Sequence, residues 1–413
     1  MDHRAFGLVG IALILLVAWL ASENRRAIRL RTVGVCFALQ VAIAVLVLYV
    51  PAGKTALAFL ATKATTLLSY ANFGIEFIFG NLATGVDGFS FLVRVLPVII
   101  FFASLMEILY HLKVMQFIVR YLGSGIRKLT DTRPVESLNV IANVFVGQTE
   151  APLSLKPYLP GISKPELFTI MVSGLASISG TVLAGYIQLG IPPEYLIAAC
   201  FMSAPAGLLM AKIIMPDVNA GTKAEKKAAA KATYAMGDDR KHANVIMAAA
   251  VGAQNGVTLA VAIGAMLIAF VSLIALTNGL LGWTGAWFGV DDLTLQMILG
   301  WIFSPIMWAI GVPWSEAQVA GGIFGEKLVL NEFIAYLSLV NIQGDLSPRT
   351  SVILTFALCG FANLSSIAIL LGGLGALIPD RMPDMAKMGV KAVFAASLAN
   401  LMSAALAGLL VAV

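Results

Sequence analysis

The sequence predicts an all-α polytopic membrane protein whose two halves repeat one plan in inverted orientation. Three observations predict it. Hydrophobic residues make up 59% of the chain and charged residues only 12%, with mean hydropathy +0.91. A soluble domain carries about 25% charged residues, so this much apolar surface needs lipid to cover it. Two apolar runs break off at polar turns, Gly147-Gln-Thr-Glu150 and Gly311-Val-Pro-Trp-Ser-Glu-Ala317. Two later runs of spanning length are interrupted midway, by Ala176-Ser-Ile-Ser-Gly180 and Phe361-Ala-Asn-Leu-Ser-Ser366.

Taken in order, a first span covers 5–22 and a second 33–50, separated by a loop with four arginines, Arg25, Arg26, Arg29 and Arg31. The positive-inside rule makes that loop cytoplasmic and the N-terminus external. No cleavable signal peptide pattern precedes it. Residues 53–80 mix Lys54, Lys63, Asn72 and Glu76 with apolar residues and read as an amphipathic helix along the membrane interface or between subunits. A third span covers 91–110. The basic stretch 113–134 is cytoplasmic.

Pro134 to Gly147 offers about 13 residues, roughly 20 Å of helix, against a hydrocarbon core of about 30 Å. The chain turns there, where Gly147 and Pro152 disfavour a continuous helix, and reaches Lys156 and Pro157 at once. This is a re-entrant hairpin open to the cytoplasm. An interrupted span at 166–190 and a span at 193–215 follow. The loop 216–243 is basic, and its Lys226 to Lys231 segment reads as a solvated cytoplasmic helix. A long span at 244–280 ends before the acidic pair Asp291 and Asp292 on the outer side. The pattern then recurs. The run 294–310 turns at 311–317, whose Trp-Ser-Glu-Ala rhymes with the earlier Gln-Thr-Glu-Ala, and a second short segment ends near Lys327, a hairpin open to the outside. An interrupted span at 350–377, a cytoplasmic loop Asp380–Lys391 and a last span at 392–412 complete the chain. Loops assigned to the inside hold 21 of the 27 Lys and Arg; Lys212 is counted inside and Lys327 outside. The resulting division is 1–133 largely scaffold, 134–215 a first transport repeat, 216–243 a cytoplasmic loop, 244–292 a long scaffold span, and 293–413 a second transport repeat.

Inverted halves with broken segments are the layout of secondary transporters, with the site where the breaks meet at the midplane. Unwound helix ends expose carbonyls, and Asn143, Ser177 and the carbonyls near Val146 and Ile178 can form an all-oxygen cage for a hard cation. Gln148, Thr149, Glu150, Glu332, Asn363 and Ser366 supply donors and acceptors, and no basic residue near either turn is available to clamp a phosphate or carboxylate cargo. Phe361 can stack on a flat ring. A neutral solute with a planar polar group and hydroxyls fits; a sugar suits the same inventory. The three histidines form no metal cluster, no phosphate loop or serine-nucleophile motif is present, and the three cysteines, Cys36, Cys200 and Cys359, lie in apolar runs as buried free thiols. An enzyme has no support in these residues. The net charge of +5 follows membrane topology rather than nucleic acid.

Four stretches now carry a resemblance: Val146-Gly-Gln-Thr-Glu-Ala-Pro152, Gly311-Val-Pro-Trp-Ser-Glu-Ala317, Asn331-Glu-Phe333 and Cys359-Gly-Phe-Ala-Asn-Leu-Ser-Ser-Ile-Ala368. In this order they resemble the concentrative nucleoside transporters, in particular the bacterial sodium-coupled branch, over nearly the whole chain. The resemblance implies eight transmembrane helices, two re-entrant hairpins and an interfacial helix, assembled as a homotrimer in the bacterial inner membrane. It implies nucleosides as cargo, with uridine, cytidine and adenosine as candidates, and Na+ as the coupling ion. Gln148, Thr149 and Glu150 then face the base, Val182 lines its pocket, Glu332, Asn363 and Ser366 bond the ribose, and Phe361 packs beside the nucleoside. Sodium takes the side chains of Asn143 and Ser177 and the backbone oxygens of Val146 and Ile178. The implied mechanism is elevator-like alternating access. Proton coupling through Glu150 or Glu332 is the alternative within transporters, and a nucleoside-binding channel or receptor is the alternative outside them. The loop Gln343 to Arg349 is shorter than the resemblance leads one to expect.

Overall fold

A computed structural model describes residues 3–84, 90–153, 155, 159, 161–217, 242–287, 289–290 and 292–411. The expected helix at 226–231, together with Lys156, Pro157 and Asp291, lies outside the described residues. Among the described residues every regular element is helical, as the composition requires: lipid cannot satisfy a backbone amide, so each segment bonds within itself.

The first half contains α1 (His3–Leu20), α2 (Leu30–Leu48), α3 (Pro51–Phe79), α4 (Leu96–His111), α5 (Val114–Thr130), α6 (Pro134–Phe145), the single turn α7 (Glu150–Leu153), α8 (Lys164–Ala176), α9 (Gly180–Gln188) and α10 (Pro193–Ile214). After it come α11 (Val245–Ala286), α12 (Leu295–Ala309), α13 (Trp314–Val329), α14 (Glu332–Ile342), α15 (Pro348–Leu358), α16 (Ser365–Leu377) and α17 (Met382–Leu410). The order α5 to α10 is matched by α12 to α17. In each series an amphipathic or apolar helix leads to a short arm, a turn, a second arm, a helix broken in the middle and one long helix.

Among the described residues six stretches are long and apolar enough to cross a membrane, Leu30–Leu48, Phe91–His111, Lys164–Gln188, Pro193–Ile214, Val245–Ala286 and Pro379–Leu410, or seven if the bent pair α12 and α13 counts as one span. Their burial separates two roles. Within the apolar stretch of α10, 89% of residues are buried, against 11% for α11. The helices α8, α10, α15 and α17 pack on one another as the centre. The 42-residue α11 leans mainly on α4, along Ala248, Gly252, Gly256 and Ala260, and near its far end Asn278 bonds Gln296 and the Leu295 N–H of α12. Small residues every fourth position let two backbones touch: a Cβ on Gly252 would stand 2.7 Å from the Ala103 carbonyl oxygen. The rest of α11 presents Val257, Val261, Ile268, Leu276 and Trp283 outward.

The segments assigned to the inside are tied together at one end of the molecule. Arg29 pairs with Asp131 at 2.6 Å, Lys391 with Glu23 at 2.8 Å, Arg133 with Glu166 at 2.9 Å, and Arg381 Nη1 donates to the Ile162 carbonyl at 2.7 Å.

The basic stretch 113–134 is mostly the helix α5, bounded by left-handed Lys113 (φ 62°) and Asp131 (φ 54°). Three expectations change. Most of Asp380–Lys391 is helical too, because Pro383 sits in the first turn, where it starts a helix rather than ends one, and no breaker follows. Lys212 is not a loop residue: it is buried and paired with Glu136 on α6 and, at 2.7 Å, with Asp217. Lys327 is likewise fully buried, not exposed on an outer loop.

Candidate functional site

The two interrupted helices meet at their breaks. Glycine permits it: a Cβ on Gly360 would stand 2.8 Å from the Ala176 carbonyl oxygen. Beyond Ala176 the chain is extended at Ser177 (φ −109°, ψ 170°), and Ser179 restarts it by accepting from the Val182 N–H. The Phe361 N–H donates to the Ser177 carbonyl at 3.2 Å. Asn400, midway along α17, donates through Nδ2 to the carbonyls of Ala176 (2.8 Å) and Cys359 (2.9 Å). One side chain thus satisfies carbonyls left open at both helix ends.

At the second half's turn, Asn331 caps α14 and Glu332 is its first residue. The buried Glu332 carboxylate accepts from Tyr186 Oη at 2.9 Å and from Asn363 Nδ2 at 2.9 Å. Asn363 Oδ1 in turn accepts from the Ser366 N–H at 2.8 Å and from Ser365 Oγ at 2.7 Å. The structure therefore gathers Glu332, Asn363 and Ser366, with Phe361 half-buried beside them. A carboxylate next to an amide offers paired acceptors and donors, the chemistry that recognises adjacent hydroxyls.

At the first half's turn, Val146 leaves α6 in extended form (φ −126°, ψ 165°) and the Glu150 N–H closes back on the Gly147 carbonyl at 3.1 Å. Gln148 is buried against Gly174, where an added Cβ would stand 2.9 Å from its own Cβ. Thr149 fills the space left by Gly373 on α16. Glu150 is exposed at the start of α7. Gly373 lies two turns beyond Ser366 on the same helix, so the two polar groups border α16 about 10 Å apart. Val182 is buried on α9, one turn before Tyr186.

Asn143, Val146, Ser177 and Ile178 are all buried where the first turn abuts the first break. Asn143 Nδ2 donates to the Asn139 carbonyl at 2.9 Å, while its Oδ1 has no hydrogen-bond partner. A buried acceptor left unpaired is costly unless something binds it. Ser177 Oγ gives its proton to the Ser173 carbonyl at 3.0 Å, which leaves its lone pairs available. An orphaned amide oxygen, a hydroxyl and unwound backbone are the donor set of a hard cation.

The rhyme between the two turns does not survive. The bend at Ile310–Pro313 is sharp, 119° between α12 and α13. Yet Glu316 accepts from the N–H and, at 2.8 Å, the Oγ of Ser347, away from the breaks. The turn that brings a carboxylate to the site is the next one, between α13 and α14. Tyr186, Lys327 and Asn400 were also missed. Tyr186 follows Val182 by four positions on one helix, and Asn400 is a lone amide deep in an apolar helix; both were signals.

The chain matches three family descriptions: Na+ dependent nucleoside transporter N-terminus over residues 9–82, Nucleoside recognition (Gate) over 92–193, and Na+ dependent nucleoside transporter C-terminus over 195–408. It is 50% identical over 406 residues to the transporter YutK of Bacillus subtilis (strain 168), covering 98% of this chain and 99% of that one. It is 46% identical over 417 residues to the nucleoside permease NupC of Helicobacter pylori, covering 98% and 97%. Among solved structures it resembles CNTnw in an inward-facing substrate-bound state, with TM-score 0.92 and 48% identity over 99% of this chain and 98% of that one. A variant of CNTnw in an outward-facing state matches with TM-score 0.94 and 48% identity, over 99% of both chains. These relatives are transporters rather than enzymes.

Proposed function

Since this chain belongs to the sodium-dependent nucleoside transporter family, we propose that it is a sodium-coupled symporter that imports nucleosides across the bacterial cytoplasmic membrane. The observation that carries the reading is the Glu332–Asn363–Ser366 group beside the orphaned Asn143 oxygen, joined through the Phe361–Ser177 bond. Glu332, Asn363 and Ser366 hold the ribose hydroxyls. Phe361 packs against the nucleoside, and Gln148, Thr149 and Glu150, with Val182, meet the base about two helical turns away. Sodium sits among Asn143, Val146, Ser177 and Ile178. An amide oxygen takes a cation but has no proton affinity in the ordinary pH range, which favours sodium over proton coupling.

The coupling is local. Asn143 and Val146 lead directly into the Gln148–Glu150 turn, so an ion that orders the end of α6 orders the base contacts too. The two ligands then raise each other's affinity by the same factor. The mechanism is elevator-like. The helices α6–α10 and α13–α17 form the moving body, and α1, α2, α4 and α11 stand outside it; with α8/α9 and α15/α16 each counted as one span, these four together with α10 and α17 make eight spans. The turns α6–α7 and α13–α14 are re-entrant hairpins, and α3 lies along the interface. The bare apolar face of α11 is the contact of a homotrimer, with the N-terminus of α1 external.

Uptake of radiolabelled uridine into proteoliposomes tests this. Accumulation that follows an imposed sodium gradient is expected. Accumulation indifferent to sodium removes the coupling, and binding without accumulation makes the protein a receptor or channel.

A further inference from the structure

The second half's turn holds a charge that nothing above uses. Lys327 is fully buried on α13. No carboxylate among the described residues lies within ion-pair distance of it, although Glu332 is near enough to act on it through space. Its Nζ donates instead to the Ala357 carbonyl at 2.7 Å and to Asn400 Oδ1 at 2.7 Å, with the Phe324 ring centroid 5.9 Å away. Burying an ammonium costs several kcal/mol unless it is solvated, and here neutral oxygens and a ring face do the solvating. That is how a protein holds a monovalent cation.

The register makes the point specific. Lys327 stands three residues before Leu330, the residue that caps α13. Asn143 stands three residues before Val146, the residue that caps α6. Ala357 lies in the last turn of α15, whose cap is Cys359; the corresponding cap of α8 is Ser177. The first half thus places an amide with an open oxygen at its break, and the second half places an ammonium at the equivalent point.

We infer that the Lys327 ammonium is a covalently attached cation filling the second half's counterpart of the sodium site, and that the cage it vacates on truncation takes a free monovalent cation or a small alkylammonium ion. The counterpart relation rests on the sodium assignment for Asn143; the cage itself rests only on the Lys327 contacts. The second half is then permanently loaded, and only the first half has to wait for an ion.

The test compares wild type, Lys327→Ala and Lys327→Met in proteoliposomes and in detergent, with sodium, choline or methylammonium chloride at constant ionic strength. Lys327→Ala is expected to lose about ten-fold or more in uridine uptake and to unfold at lower temperature in choline, because two buried acceptors lose their donor. Methylammonium restores much of both, and the sodium dependence of uptake becomes steeper than in wild type. Lys327→Met, whose side chain still fills the space, regains nothing. Lys327→Ala as active and stable in choline as wild type overturns the inference; so does a loss that no cation relieves. If Lys327→Ala fails to accumulate in cells, its abundance with methylammonium in the medium becomes the readout, and absence under both conditions counts against the inference. A wild type insensitive to sodium removes the Asn143 assignment, while the methylammonium arm still scores the cage.

Discussion

The two turns of this protein have the same outline and opposite chemistry. Each short arm ends in a cap, and each abuts a broken helix. The first, Val146–Thr149, carries an unpartnered amide oxygen and a side chain packed into a glycine's missing Cβ. The second, Leu330–Asn331, carries a carboxylate held by Tyr186 and Asn363 and a lysine tied to Asn400. The difference teaches that a repeated backbone fixes where helix ends fall but not what they bind. One end leaves a buried oxygen unpaired, while the other is completed by its own side chains.

Three substitutions break or sharpen that contrast. The largest effect is expected in the second turn. Glu332→Ala removes the acceptor of two charge-assisted hydrogen bonds and should lower uridine uptake by about 100-fold or more. Sodium affinity measured by calorimetry without nucleoside should stay near wild type; a joint loss of both would mean the two turns do not divide the labour. Next is Asn143→Ala in the first turn, which deletes one oxygen ligand. The sodium concentration for half-maximal uptake should rise about ten-fold, with the ratio of uridine to adenosine uptake little altered. A changed ratio with unchanged sodium dependence would transfer Asn143 from the ion to the base. The smallest is Gly373→Ala on α16, where a Cβ would collide with Thr149. Overpacking of this kind costs about 1–3 kcal/mol, and here it should appear as a few-fold shift between uridine and adenosine with sodium dependence intact.

Much of this contrast was legible in the sequence. Serines and glycines inside apolar runs marked both helix breaks, because little else puts Ser-Ile-Ser-Gly in the middle of a span. Glu332, Asn363 and Ser366, singled out in the second half, lie within one hydrogen-bonded group. What failed was inference from local similarity. Trp314-Ser-Glu-Ala317 looks like the first turn, but its glutamate meets Ser347, which the sequence has no means to announce. The buried lysines failed for the same reason. Lys212 meets Glu136 across 76 positions and Lys327 meets Asn400 across 73, and a charge at the end of an apolar run reads as a loop until such a partner is known. Leaving those two lysines out changes the topology check from 21 inside and 5 outside to 20 and 4, and the bridges Arg29–Asp131 and Lys391–Glu23 bring the basic loops to one end.

Cys36, Cys200 and Cys359 are all reduced and all out of contact with solvent. Cys359 caps α15 at the junction where the halves touch, and its carbonyl is held by Asn400. The protein therefore carries a native reporter at its own centre: the rate at which a thiol reagent modifies Cys359 times how often that junction opens, with no foreign probe attached.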